Sequence, residues 1–522
     1  MHDSLLYRQT ARPLARLVVP ALVFAALVVG LVWGAGSVPL FDLDEGAFTE
    51  ATREMFERGD FLATYVNGVP RYDKPILIYW LQAASVSLLG VNEIGFRLPS
   101  ILAAFLWLSA IYAFGRPRLG STAALIAALI ASTTFDVQLI AHAATADALL
   151  NLLLAAAMFD IYRHFESGDT GARNRAFAWI GLGVLTKGPV AIAIPFLVSA
   201  IFAVTQGAGR RWFAAVTHPG AWLLFLVIVL PWPVAQILRD GPGFLSAFLL
   251  EHNVTRFLAT REGHGGTLFY YFAAVPVILL PYSVLFLRLF ARLLPSLHDP
   301  MTRFLWLWFA VVFIFFSFSA TQLPHYLLYG APPLFLLMAR EAEGAASAWS
   351  VLAPTLVVLM LLVFLPELVD YGARRSGDPY VQAMLARGHE VFDLRYRIGV
   401  VVAGALALGL AFVRALAPWQ RLLAIGIVHA WTVAQLLLPA VGALKQQPVR
   451  EAARVARALN VPVVMWPANR PSFSVYLGRV TPHRPPRAGE IVFTEAGQLA
   501  RLGRYELLYE RGGVALARMI EP

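Results

Sequence analysis

The amino-acid sequence predicts an all-α polytopic membrane protein of about 13 transmembrane helices, with interfacial helices in its first outside loop and a small C-terminal α/β domain. Of the 522 residues, 58% are hydrophobic and only 14% are charged, whereas ordinary soluble domains are roughly 45–50% apolar and about 25% charged. So few charges could not cover a water-exposed surface, which excludes a soluble protein. The chain contains no cysteine, so disulfides, thiolate nucleophiles and cysteine-based zinc sites are also excluded.

The predicted spans are apolar runs close to the roughly 20 residues that a bilayer crossing requires. They lie at residues 14–34, 94–115, 118–135, 137–160, 176–187, 189–206, 216–238, 267–290, 303–320, 323–340, 348–369, 396–416 and 420–440. The first run resembles a signal peptide, but the spans after it favour an uncleaved signal anchor.

The topology depends on whether residues 176–206 form one helix or two. A break at Lys187-Gly188-Pro189 brings the arginines that flank the spans to one side, as expected for the cytoplasmic side. These arginines are Arg8, Arg12, Arg16, Arg116, Arg118, Arg163, Arg173, Arg175, Arg210, Arg211, Arg288, Arg292, Arg303, Arg340, Arg414 and Arg421. The break therefore predicts a cytoplasmic N-terminus and a C-terminus on the outside.

This topology divides the chain into a transmembrane domain, residues 1–440, and an outside domain, residues 441–522. Residues 35–93 and 239–266 form large outside loops. The tail alternates short β-type runs with helical stretches, which predicts an α/β domain. The β-type runs are 461–466, 473–477, 491–494, 505–509 and 514–519, and the helical stretches are 448–460 and 496–503.

The net charge is +10, but the sequence contains no nucleic-acid-binding motif. We therefore expect the basic residues to orient the protein in the membrane, and we expect no nucleic-acid partner. The tail carries twelve basic and six acidic residues. Attraction of the tail to anionic lipid headgroups is therefore a hypothesis.

Three carboxylates follow the first span closely, at Asp42, Asp44 and Glu45. Helical spacing continues through Arg53 and Glu57, which predicts an interfacial helix. Carboxylates at a membrane face can act as a general base, a metal ligand or an orienting group. Alternatively, they only favour the dipole of a helix N-terminus.

Asp73 and Lys74 precede Pro75 and a second apolar stretch that ends at Leu89. Pro75 fits the first position of a helix, with Asp73 or Lys74 at its cap. A lysine held there would bind a phosphate as a point charge. The alternative is a helix cap beside a lysine that reaches out of the membrane.

Two charged residues interrupt apolar spans. Asp147 is predicted inside a span, with Asn151 one turn further along, and Lys187 precedes the Gly-Pro break. A carboxylate at membrane depth costs roughly 2.5–3.5 kcal/mol on insertion scales, so such groups usually face a cavity. A structural polar pair between helices is the alternative.

Two further stretches place polar groups on the outside face. His252 and Arg256 lie four residues apart, on one face of a predicted helix, and Tyr326 opens a span. A lone histidine is a weak metal signal, and a histidine with an arginine suits phosphate better. Cations beside carboxylates at the bilayer face predict a phosphorylated lipid substrate.

Five of these stretches together resemble the bacterial aminoarabinose transferase family, within the C-type superfamily of lipid-linked-sugar glycosyltransferases that includes protein O-mannosyltransferases. The matching stretches are residues 44–50 (DEGAFTE), 72–75 (YDKP), 185–188 (LTKG), 251–257 (EHNVTRF) and 322–326 (QLPHY). Their order and spacing are far more specific than any one of them.

The resemblance implies a role for each matching residue. Asp44 takes the catalytic carboxylate position, and Glu45 and Asp147 are further acidic site residues. The donor phosphate would be held by Lys74, Arg256, Tyr326 and Lys187. No cofactor is required by the family pattern, and Asp73 and His252 match positions where a structural divalent metal ion can sit.

The implied activity is that of an inverting glycosyltransferase in the bacterial inner membrane. It would move a sugar from a polyprenyl-phosphate donor to a lipid acceptor similar to lipid A, at the periplasmic face. Ala47, Phe48 and Gln322 depart from the family pattern, which leaves the sugar open between aminoarabinose, another amino sugar, a hexose and a uronic acid.

Two alternatives remain at this stage. A protein or glycan O-glycosyltransferase of the same superfamily would use a hydroxyl acceptor. A transporter or flippase for lipid-linked sugars would also suit charged residues and broken helices inside the membrane.

Overall fold

The computed structural model describes residues 17–241, 243–246, 248, 266–344 and 347–521. Most of these residues are helical. The first half contains α1 (Leu17–Val32), α2 (Asp44–Arg58), α3 (Leu77–Leu89), α4 (Glu93–Leu119), α5 (Ser121–Thr133), α6 (Phe135–Ala141), α7 (Asp147–Ser167), α8 (Thr170–Lys187), α9 (Val190–Thr205), α10 (Gly209–Val216), α11 (Pro219–Val229), α12 (Pro231–Asp240) and α13 (Gly243–Ser246).

The described part of the second half contains as many α-helices, one 3-10 helix and most of the strands. Its helices are α14 (Tyr270–Ile278), α15 (Ser283–Ala291), α16 (Leu293–Ser296), α17 (Pro300–Ser317), a 3-10 helix (Pro324–Gly330), α18 (Ala331–Gly344), α19 (Trp349–Val363), α20 (Leu365–Arg375), α21 (Pro379–Leu385), α22 (Gly388–Val391), α23 (Leu394–Ala411), α24 (Pro418–Lys445), α25 (Gln447–Leu459) and α26 (Pro471–Leu477).

Several helices suit a bilayer by length and composition. Among the described helices, five are long and apolar enough to cross a membrane, or up to eight when each bent pair is counted as one span. Helices α1, α3 and α9 are apolar but shorter. The fold is thus a mostly helical membrane fold, and the figure of thirteen spans stays a prediction.

The predicted break between α8 and α9 is confirmed. Helix α8 ends at Lys187, and Gly188 adopts a φ of 85° and a ψ of −146° before α9 begins at Val190. Such a conformation is essentially restricted to glycine. Lys187 therefore sits at the last position of a helix, next to a sharp corner.

The predicted span 137–160 is wrong, because the chain turns between α6 and α7. Helix α6 ends at Ala141, and α7 begins at Asp147. Asp147 thus occupies a helix start and not a helix interior. No proline or glycine marks this turn, and polar contacts made by residues 142–147 with distant parts of the chain stabilise it.

The helix predicted after the first span is confirmed as α2, and its interfacial position stays a prediction. It begins at Asp44 and ends in a glycine C-cap at Gly59. The second apolar stretch is also helical, but α3 begins at Leu77, two residues later than predicted. A two-stranded hairpin, β1 (Tyr65–Val66) and β2 (Val69–Pro70), lies between these helices.

The C-terminal residues form the predicted small α/β unit. Its four strands are ordered β3 (Val463–Met465), β4 (Ile491–Glu495), β6 (Val514–Glu521) and β5 (Arg504–Arg511). Strands β3 and β4 are parallel, whereas the other neighbours are antiparallel. The predicted strand 473–477 is wrong: it is helix α26, whose Phe473 and Leu477 pack into the core of this unit.

The C-terminal unit packs on the first loop through α26. Ser472 donates its backbone N–H to Asp42 at 2.9 Å and its hydroxyl at 2.5 Å. Tyr476 accepts the backbone N–H of Leu40 at 2.7 Å and donates its hydroxyl to Glu93 at 3.1 Å. These bonds hold the loop that leads into α2.

Candidate active site

A cavity of about 390 Å³ lies where the first loop, the turn between α6 and α7, and the 3-10 helix meet. Its wall combines carboxylates, histidines and apolar side chains. The lining residues are Trp33, Gly34, Val38, Phe41, Asp42, Leu43, Asp44, Glu45, Arg97, Asp136, Leu139, Ile140, His142, Ala143, Thr145, Asp147, Pro324, His325, Ala434 and Leu438.

Asp147 is the centre of a dense polar cluster on one wall. Its Oδ1 accepts from the Lys187 ammonium at 2.5 Å and from the Tyr329 hydroxyl at 2.9 Å. Lys187 also donates to the Tyr329 oxygen at 2.8 Å. His325 Nε2 lies 3.6 Å from Oδ1, and Thr145 donates to Oδ2 at 3.2 Å. Asp147 and Lys187 meet because α7 begins at Asp147 and α8 ends at Lys187.

Tyr326 packs against the same polar cluster. The Lys187 ammonium lies 5.1 Å from the centre of its ring, a cation–π distance. The ring also packs on Tyr329 and Phe316. Two residues predicted to bind phosphate, Lys187 and Tyr326, are thus neighbours of Asp147.

Asp44 and Glu45 are adjacent in sequence but differ in surroundings. Asp44 is exposed and lines the cavity. Glu45 is 3% exposed and forms an ion pair with Arg97, whose Nε lies 2.7 Å from Oε1. Its oxygens also accept the backbone N–H groups of Phe41 and Ala144 at 2.8 Å. This geometry suits Glu45 to positioning Asp44 better than to contacting a substrate.

Arg97 binds the loop that leads into α2. Besides Glu45, it donates to the carbonyl oxygens of Ala35, Val38 and Pro39. Its side chain is buried. Arg97 therefore holds the loop that presents Asp44 at several points, together with the bonds from Ser472 and Tyr476.

Lys74 and Asp73 lie on the loop before α3. Arg71 donates to both oxygens of Asp73, at 2.5 and 2.9 Å, and Lys74 donates to the backbone oxygen of Asp73 at 3.2 Å. The charge of Asp44 also acts on Arg71. Arg71 and Lys74 thus form a cationic group, within electrostatic reach of Asp44, that could hold a phosphate.

His252 and Arg256 lie outside the described residues. Among the residues that the structure does describe, no group of three or more His, Asp or Glu side chains could hold a metal ion. Asp73, the other residue predicted at a metal position, is already bound by Arg71 through both carboxylate oxygens.

Sequence reasoning assigned no role to several residues that the fold brings to the site. Arg97, Asp136 and Tyr329 lie in helices without a motif of their own. A charge in a predicted apolar span is a usable signal for Arg97, whereas Asp136 falls between two predicted spans. His325 stands inside the stretch 322–326, directly before Tyr326.

The family comparison matches part of the chain. The sequence model of the family described as dolichyl-phosphate-mannose-protein mannosyltransferase matches residues 73–234. The undecaprenyl phosphate-alpha-4-amino-4-deoxy-L-arabinose arabinosyl transferase of Aeromonas hydrophila is 29% identical over 417 residues, which cover 73% of each chain. An uncharacterized protein of Aquifex aeolicus is 28% identical over 66% of this chain and 80% of its own.

Solved structures show the same architecture. The crystal structure of ArnT from Cupriavidus metallidurans bound to undecaprenyl phosphate superposes with a TM-score of 0.77 at 20% identity, over 96% of this chain and 97% of that one. The apo structure of the same protein gives a TM-score of 0.74. The resemblance predicted from the motifs is confirmed: this chain has the fold of the ArnT structures and is similar in sequence to aminoarabinose transferases, which are polyprenyl-phosphate-dependent glycosyltransferases.

Proposed function

We propose that this chain is a multi-pass glycosyltransferase of the bacterial inner membrane. It transfers a sugar from a polyprenyl-phosphate donor to a lipid acceptor similar to lipid A, at the periplasmic face. The observation that carries the proposal is the shared cavity of Asp44 and Asp147, with Lys187 bound to Asp147 and the charge of Arg71 acting on Asp44. Relatives whose names specify an undecaprenyl-phosphate aminoarabinose donor support the same chemistry.

The donor phosphate is held by cations at the edge of this cavity. Lys74 and Arg71 lie together on the loop before α3, and we assign Arg256 to the same task by motif. As the acceptor oxygen attacks the anomeric carbon, the bond to the lipid phosphate breaks and negative charge grows on that phosphate. Fixed cations stabilise that charge most in the transition state.

The carboxylates handle the acceptor and the sugar. Asp44 is exposed to the cavity and orients the acceptor, or deprotonates it when the acceptor is a hydroxyl. Asp147, neutralised by Lys187, accepts hydrogen bonds from sugar hydroxyls. Attack opposite the departing phosphate inverts the anomeric carbon.

We propose that the reaction needs no metal cofactor. Asp73 is engaged by Arg71, and cationic side chains supply the charge that a metal ion would otherwise bring to the phosphate. We expect turnover to survive complete chelation with EDTA. Loss of turnover that Mg²⁺, Mn²⁺ or Ca²⁺ restores would contradict this proposal. Asp73 and His252 would then be the candidate metal ligands.

The proposed orientation follows from the arginine clusters. It places the N-terminus in the cytoplasm, and the cavity and residues 441–522 in the periplasm. The boundary at residue 440 falls inside α24, which continues to Lys445. A periplasm-active phosphatase fused after residue 522 should be active, and one fused before residue 1 inactive.

The first experiment is mass spectrometry of lipid A from the host, with the gene intact, deleted and complemented. We expect a pentosamine, amino-sugar or hexose mass to disappear on deletion and to return with the wild-type gene. Asp44→Asn should fail to restore it. Asp60→Asn should restore it, because Asp60 pairs with Arg239 and does not line the cavity. Full restoration by Asp44→Asn at normal protein level would refute its catalytic role.

The family match over residues 73–234 favours a second candidate, a protein O-glycosyltransferase. In that case lipid A is unchanged on deletion and a periplasmic protein loses a sugar mass. Glycoproteomics of the same two strains separates the two acceptors.

A further inference from the structure

Asp136 is a buried carboxylate that the proposed mechanism does not use. It lies in the first turn of α6, is 5% exposed, and lines the cavity shared by Asp44 and Asp147. Its Oδ2 atom has no hydrogen-bond partner among the described residues. A buried acceptor left unsatisfied costs about 1–3 kcal/mol, so a site that keeps one is suited to a ligand that supplies the missing donor.

Among the described residues, the cavity lining has an excess of negative charge. Five carboxylates line it against one arginine, and the Lys187 ammonium is bound to one of the five. The five are Asp42, Asp44, Glu45, Asp136 and Asp147.

Three of these carboxylates already have polar partners. Glu45 pairs with Arg97, Asp147 pairs with Lys187, and Asp42 is bound by Ser472. Within the described residues, neither Asp44 nor Asp136 has an ion-pair partner.

The charge of Asp147 also acts on Asp136, because both face the same cavity. Two carboxylates at one site repel each other, and a cation placed between them or beside them relieves that repulsion. A neutral hydroxyl could donate a hydrogen bond to Oδ2 but would leave the repulsion in place. The cavity therefore suits a cationic ligand better than a neutral one.

We propose that Asp136 binds the ammonium group of an amino sugar on the donor, and so sets the specificity of the enzyme for the transferred sugar. This inference rests on the proposed glycosyltransferase function. The ammonium supplies the donor that Oδ2 lacks and offsets the excess of carboxylates. Charge-assisted hydrogen bonds of this kind are about twice as strong as neutral ones.

The test compares two donors on the purified full chain in detergent. One is undecaprenyl phosphate carrying 4-amino-4-deoxyarabinose, and the other is the same lipid carrying its N-formyl derivative, which has no charge. Lipid A is the acceptor, and kcat/KM is measured for each donor. For the wild type we expect a strong preference for the amino sugar.

The informative variant is Asp136→Asn, which keeps the size of the side chain and removes its charge. We expect the ratio of kcat/KM for the amino donor to that for the formyl donor to fall about tenfold or more, mostly through KM. Asp136→Glu should restore part of the preference. If Asp136 were purely structural, the variant would lower kcat/KM for both donors by the same factor, and this result would overturn the inference. An unchanged kcat/KM for both donors would overturn it as well.

The matched control is Asp160→Asn. Asp160 is also buried in a helix, but its carboxylate is bound by Arg163, Arg175 and Trp179, away from the cavity. We expect the donor ratio to stay unchanged there. A wild type that uses both donors equally, or neither of them, refutes the role of Asp136. The mass spectrometry of lipid A decides separately whether the glycosyltransferase function stands.

Discussion

The ion pair between Glu45 and Arg97 determines where the catalytic candidate Asp44 sits. Both side chains are at most 3% exposed, and Arg97 also binds three carbonyl oxygens of the loop before α2. Each partner alone would be an uncompensated buried charge. The pair therefore matters for the geometry of the cavity, although neither residue needs to touch a substrate.

We expect Arg97→Ala to destabilise the protein by about 3–5 kcal/mol, because it leaves the Glu45 charge buried without a partner. Thermal unfolding in detergent measures this effect. Arg374→Ala is the control, because its pair with Asp370 is exposed and is worth less than about 1 kcal/mol. Equal melting temperatures for the two variants would contradict the structural role of Arg97.

Among the elements, the corner between α8 and α9 contributes most directly to the site. It ends α8 at Lys187, so that the ammonium reaches Asp147 and Tyr329. A continuous helix would carry the chain onward and change the direction of this side chain. The corner depends on the positive φ of Gly188.

We expect Gly188→Ala to cost about 1–3 kcal/mol, because a Cβ is strained in this backbone conformation, and to lower turnover by moving Lys187. Gly409→Ala is the matched control. Gly409 lies inside helix α23 with open space where a Cβ would go, so alanine there should be neutral or stabilising. Unfolding temperature and kcat of both variants decide the matter, and an unchanged kcat for Gly188→Ala would refute the argument.

At the scale of the whole molecule, the C-terminal unit supports the first loop. The contacts run from Asp42 to Ser472, from Leu40 to Tyr476 and from Asn67 to Ser474. Three separate points of the loop region are therefore held by a single helix, α26. The unit contributes to the cavity by holding its wall in place, and its attraction to anionic lipid stays a prediction.

This support should depend on pH through Asp42. Burial raises the pKa of Asp42 to about 6 from an ordinary 3.8, although the hydrogen bonds from Ser472 lower it. Between about pH 4 and pH 6 the folded protein holds a proton that the unfolded chain has released, so this group's contribution to stability falls as pH rises through that window.

We therefore expect Asp42→Asn to gain stability relative to the wild type as pH rises from about 4 to 7, because the variant has no charge to bury. Melting temperatures of both proteins at several pH values in this range measure the difference. A difference that stays constant with pH would show that Asp42 does not titrate in this window.

Sequence alone was enough to predict the membrane class, the helix α2, the break after Lys187, the small C-terminal α/β unit and the family resemblance. These features follow from composition, from local glycine and proline chemistry and from motifs that are contiguous in the chain. Only the tertiary structure decided that Asp147 begins a helix, that residues 473–477 are helical, that Glu45 is paired with Arg97 and that Asp136 faces the cavity. Each of these features depends on contacts with residues that lie tens to hundreds of positions away in the chain. Such contacts produce no periodic pattern in the local sequence, so they could not be predicted from it.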